Sequence, residues 1–110
     1  MTDALIKKAR TYITQVEMQS AGQREERQTE GRTLAEKLRE AAVDLSFNKA
    51  TEFSPDIPVL HLLAAKVALC AFGKYSSRLD LFEKDIAYYK NFPSTKKLFD
   101  EYENFKGNFN

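Results

Sequence analysis

A thiol and an imidazole are the side chains best suited to chemistry in this chain. Each occurs once, as Cys70 and His61. A cysteine becomes an activated nucleophile when a base such as imidazole lies within hydrogen-bond reach of its sulfur. These two are nine residues apart. On one continuous helix, at about 100° per residue, they point in opposite directions. Cys70 lies between Leu69 and Ala71 and is expected to be a small core residue. His61 follows Pro58 by one turn near a helix start and is expected at a partly exposed boundary.

Metal-ligand and phosphate-cradle patterns are missing as well. The sequence has no CxxC, no HxxxH and no Glu-x-x-His, since proline occupies the position three before His61. Its acidic residues lack the Asp/Gly rhythm of a calcium loop. GxxxxGK[ST], GxGxxG and GxSxG do not occur, and the chain has only four glycines. Adjacent acids such as Glu25-Glu26 and Asp100-Glu101 read as solvated faces. The expectation is a non-enzyme with no catalytic residue, no cofactor and no metal site.

Charge points to no particular partner. Seventeen Lys and Arg face sixteen Asp and Glu, a net charge of +1. Both halves are balanced, so neither a basic tail nor an acidic run suggests nucleic acid or a membrane surface. Five of the six arginines fall within the first 39 residues, with Arg24, Arg27 and Arg32 in a polar middle segment. Glu25, Glu26 and Glu30 are interleaved with them, which suits a salt-bridged solvent face better than a phosphate track. A nucleic-acid-binding regulatory protein using the Arg24–Arg39 region is therefore the alternative reading.

The aromatic residues are distributed unevenly. Ten of the 13 lie between Phe72 and Phe109. Tyr88 and Tyr89 are adjacent and cannot both face one core. Surplus Tyr and Phe on a surface are typical interface anchors; the competing reading is that they fill a small core. The leading expectation is a small helical protein that binds another protein, as an adaptor, inhibitor or immunity/accessory-type regulator. Tyr88, Phe92 and Phe99 are its candidate partner-binding residues, and Arg24, Arg27 and Arg32 are a second contact.

Helical periodicity runs through nearly the whole chain, and strand alternation is nowhere sustained. Leu5, Ala9, Tyr12 and Val16 line one helix face, and Leu34, Leu38, Ala41 and Leu45 line another. Thr33 and Glu36 have capping-box spacing and predict a helix start at Thr33. Residues 2–47 can then be a hairpin, with the first helix running to about Thr29 and breaking at Gly31. They can also be one rod of roughly 65 Å that needs a partner chain to cover its stripes; the hairpin is favoured.

Residues 48–56 read as a linker and 57–72 as a central apolar helix closed by Gly73. A fourth helix is predicted from just after Ser77, capped through Asp80, to Phe92 before Pro93. The fifth opens at Ser94 or Thr95 and closes at Gly107. The expected fold is an all-α, single-domain bundle of about five helices over 1–110, with 57–107 as a three-helix part, existing as a monomer or homodimer.

At 110 residues the chain can bury one sizeable core, and its single cysteine rules out an internal disulfide. Ile57–Phe72, the most hydrophobic stretch, contains Pro58, His61 and Lys66 and is shorter than the ~20 residues that span a bilayer. No targeting segment is visible. The expectation is a cytoplasmic protein with no membrane role.

Overall fold

The protein is described by a computed structural model covering residues 2–17 and 24–109. These residues form five helices and no strand: α1 (Thr2–Glu17), α2 (Arg24–Phe47), α3 (Asp56–Phe72), α4 (Leu79–Tyr89) and α5 (Lys96–Gly107). A short 3-10 turn, Pro93–Thr95, joins the last two. The fold is an all-α bundle.

Helix α3 lies at its centre. Twelve of its 17 residues are buried, because it packs against all four other helices. A helix apolar on most of its faces has to be surrounded in this way. Its alanines, Ala64, Ala65, Ala68 and Ala71, are 0–1% exposed. Helix α2 presents an equally small stripe, Gly31, Ala35 and Ala42, interrupted by Leu34 and Leu38. Small residues on both sides let the two backbones approach, and the α2–α3 interface is the most extensive in the molecule. Ala41 and Leu45, predicted on the core stripe, are only half-buried.

Four sequence-based readings of helix ends are corrected. The second helix does not start at Thr33 but at Arg24, since the segment that precedes Thr33 is rich in good helix formers. Thr33 sits in its interior, its hydroxyl donating back to the Thr29 carbonyl at 3.2 Å. Gly31 does not break a helix; it is a buried helical residue at a three-helix contact. A Cβ there would run into the Tyr12 hydroxyl and come within 2.7 Å of Tyr12 Cζ and 2.8 Å of Ala71 Cβ. In one straight rod, residues 12 and 31 would lie about 28 Å apart. The chain therefore folds back between α1 and α2; residues 18–23, which join them, lie outside the described residues.

The fourth helix ends at Tyr89, not Phe92, because Phe92 adopts extended dihedrals (φ −99°, ψ 120°) ahead of Pro93. Ser77 does not cap it; Arg78 is the residue at its start, with no side-chain cap. At the end of α3, Gly73 takes a positive φ of 92° and donates its N–H to the Leu69 carbonyl at 3.0 Å.

Pairs across the interfaces fix the register. Gly31 meets Ala71 while Arg39 and His61 both reach Asp85, so α2 and α3 run antiparallel. Phe72 stacks on Phe82 while His61 meets Tyr89, so α3 and α4 do too. Glu83 reaches Tyr102 and Lys106, and Lys90 reaches Phe99, giving the same sense for α4 and α5. As a result the N-terminal half of α3 lies beside the C-terminal ends of α2 and α4.

Candidate interaction surface

A polar cluster under the end of α4 organises this part of the molecule. His61 is buried at 8% exposure, where the sequence suggested a boundary position. Its Nδ1 lies 3.6 Å from Asp85 Oδ2 and has no hydrogen-bond partner among the described residues. Asp85 accepts instead from Arg39 Nε at 2.8 Å, which ties α4 to α2. Burial pushes the imidazole's pKa below its ordinary value, Asp85 opposes that shift, and the Arg39 guanidinium reinforces it. The arrangement favours the neutral form of the His61 imidazole, which stands between two opposite charges.

The His61 ring also carries the aromatic cluster above it. Its centroid is 5.6 Å from that of Tyr89, which lies 5.1 Å from Tyr88 in an edge-on pair and 6.2 Å from Phe92. Tyr88 and Phe92 close the group at 5.4 Å. Exposure separates the members: Tyr89 is half-buried, while Tyr88 is 65% and Phe92 43% exposed. Burial raises the Tyr89 phenol above its usual pKa, with Tyr88 and Asp85 adding to the effect. The main chain fixes the cluster from below, since the Tyr89 carbonyl accepts from Thr95 Oγ1 at 2.7 Å and from the Phe92 N–H at 3.2 Å.

A shallow groove of about 220 Å³ runs between α4 and α5, lined by Ile86, Ala87, Phe99 and Tyr102 with Glu83, Glu103 and Lys106 around them. Phe99 is partly buried, and the Lys90 ammonium stands 5.4 Å over its ring. Glu83 Oε2 accepts from the Tyr102 hydroxyl at 2.8 Å and from Lys106 Nζ at 2.6 Å, locking α5 onto α4. Burial, followed by that bond to Glu83, pushes the Tyr102 phenol well above its usual range.

Tyr88 and Phe92 thus form an exposed pair at the end of α4, while Phe99 lines the groove between α4 and α5 and no ring contact joins it to them among the described residues. The arginines do not join them. Arg32 is exposed with its guanidinium 5.3 Å from the Phe72 ring, which Arg78 also approaches at 5.8 Å. That is the opposite end of α3 from His61, about 16 Å along its axis. There an open cleft of about 440 Å³ is lined by Gln28, Cys70, Phe72, Lys74, Tyr75 and Phe109, among others. Arg24 and Arg27 lie in the first turns of α2, and their side chains fall outside the described residues.

Cys70 is buried, and the continuous helix α3 keeps it away from His61. Sequence reasoning missed the Arg39–Asp85–His61 cluster, whose first two members are 46 residues apart and share no spacing rule. It also passed over Phe47, Phe53 and Tyr75, exposed at 84%, 90% and 94%. Their places beside the predicted linker and beyond Gly73 were the available signal.

Among the described residues, no three His, Cys, Asp or Glu side chains gather as a metal ion would require, and no helix is long and apolar enough to cross a membrane. Comparison with protein-family models, with curated proteins and with solved structures finds no match to this chain.

Proposed function

We propose that this is a non-enzymatic helical protein that acts by binding another protein through its α4–α5 surface, as an adaptor, inhibitor or accessory-type regulator. The observation that carries the reading is the pair Tyr88 and Phe92. Both are exposed, yet they are already held in ring contact with each other and with half-buried Tyr89. Aromatic side chains ordered before binding lose less conformational freedom when a partner covers them. The groove between α4 and α5 offers Ile86, Ala87 and Phe99 to an apolar side chain or a docked helix.

The arginine-rich segment supports nucleic acid less well. Arg39 is engaged by Asp85, and Arg32 lies against Phe72. These contacts leave the protein-binding reading in first place.

A comparison of Tyr88→Ala with Tyr89→Ala tests it. Partners captured from the native host are identified by mass spectrometry, and their affinity is then measured for each variant. Tyr88→Ala should weaken binding by about 1–2 kcal/mol with little change in melting temperature. Tyr89→Ala, which removes the ring packed on His61, should lower the melting temperature. If Tyr88→Ala melts early and binds normally, the cluster is only packing and the interface lies elsewhere.

A further inference from the structure

We infer that His61 couples uptake of a proton to the arrangement of the exposed Tyr88–Phe92 pair, so that acid reshapes this surface. The starting point is a contact that stops short. His61 Nδ1 is the one buried side-chain nitrogen or oxygen without a hydrogen bond among the described residues. It stands 3.6 Å from Asp85 Oδ2, and an N–H···O bond needs about 2.7–3.2 Å. The neutral ring is therefore held by packing. Arg39 Nε already occupies the same carboxylate oxygen at 2.8 Å.

Protonation changes what the ring must satisfy. Both nitrogens of an imidazolium are donors, and a buried charge without a hydrogen bond costs far more than a neutral ring. Charge-assisted bonds of this type close to about 2.7–2.9 Å, so reaching Asp85 takes a movement of about 0.8 Å. Asp85 is tied to Arg39 of α2, and the adjustment falls on the imidazole. Tyr89 packs on that ring at 5.6 Å between centroids, and the new positive charge also attracts its π-system. Tyr89 in turn meets Tyr88 at 5.1 Å and Phe92 at 6.2 Å. Both outer rings are exposed and can follow.

Two charges act on the imidazole, Asp85 from α4 and Arg39 from α2. Burial lowers its pKa, Asp85 offsets part of that, and Arg39 lowers it further. The protonated native form therefore fills below the ordinary histidine value of 6.5. The Tyr89 phenol, raised above its usual value, stays neutral throughout. On α3 itself, Lys66 is paired with Glu101 of α5, and Asp56 lies in the first turn. Glu40 and Asp44 of α2 and Lys84 of α4 are exposed, as are Asp3 and Lys7 of α1 and Lys96 and Lys97 of α5. None of these is among the groups that shift the imidazole.

The coupling is a property of the protein alone, so the test needs no partner and its failure leaves the protein-binding reading intact. The full chain, with labelled Tyr, Phe and His rings, is followed by aromatic proton–carbon NMR between about pH 7.5 and 4.5. His61 is the only histidine, so its Cε1–H reports its own titration. The Tyr88 and Phe92 ring signals should move with the same midpoint, and the cross-peaks between the two rings should change over the same range. Tyr75, beyond the other end of α3, should stay still. His61→Gln should abolish the movement. Arg39→Gln, which removes a repelling charge and frees the carboxylate, should raise the shared midpoint.

Titration of His61 with the Tyr88–Phe92 cross-peaks unchanged overturns the inference, since any shift then reports only the field of the new charge. Movement that persists in folded His61→Gln overturns it too, by placing the source in a carboxylate. Acid unfolding before His61 titrates has the same consequence, because no protonated native form then exists.

Discussion

His61 shows how one buried side chain makes the fold sensitive to acid. Its pKa is lowered in the folded state, so the unfolded chain takes up a proton at a pH where the native protein does not. Stability is therefore fully present above the ordinary histidine value of 6.5 and declines as the pH falls through it, until the folded-state value is reached. Titration of carboxylates adds to any acid effect, so the variant to compare is His61→Gln, which has no charge to gain. Melting temperatures followed from pH 7.5 to 5 should fall more steeply for the wild type than for His61→Gln. Parallel curves would mean that the imidazole accepts its proton without cost, through Asp85. None of this was legible in the sequence. Composition shows one histidine, but its neighbours Arg39 and Asp85 are brought to it by two different helices, and its burial depends on the packing of all three. The burial of Cys70 could be read in advance, because local apolar neighbours and helix phase are enough to decide it.

At the level of elements, Gly31 separates intrinsic preference from packing. An alanine there gains about 1 kcal/mol of helix propensity. It also drives a methyl group into Tyr12, which is 2% exposed, and against the rigid backbone-borne Cβ of Ala71. Overpacking of this kind costs about 1–3 kcal/mol, and more when neighbours cannot move. Gly31→Ala should therefore lose about 1–2 kcal/mol in urea denaturation, in spite of the better helix former. A gain in stability would show that α1 can move aside. The same residue explains why the second helix was misread. A glycine beside a capping-box pattern looks like a boundary, and only its contacts with α1 and α3 reveal an interior position. Helices whose phase is set by regularly spaced apolar residues, such as Ala9, Tyr12 and Val16 of α1, were plain from spacing. Ends read from side-chain capping patterns were not. Ser77 and Thr33 have cap-like spacing, yet neither caps a helix, and Thr95 closes α4 by bonding back to the Tyr89 carbonyl.

Across the whole molecule, α3 makes the fold depend on one helix. With α1, α2, α4 and α5 all packed on it, no helix keeps its main apolar contact once α3 is lost. Leu69, 0% exposed on that helix, should be a sensitive position. Leu69→Ala should cost about 2–5 kcal/mol, and unfolding followed by far-UV circular dichroism and by tyrosine fluorescence should coincide. Two separate transitions would show that the α1–α2 and α4–α5 parts melt independently. The connection between α2 and α3 has the opposite character. It runs through 48–55 past exposed Phe47 and Phe53, although the two helices it joins share the most extensive interface in the protein. Cut there, the chain becomes two fragments with matching small-residue faces, each lacking the surface the other supplies. The molecule is in effect a complementing pair fused end to end, with a natural place for new termini or for an inserted sequence.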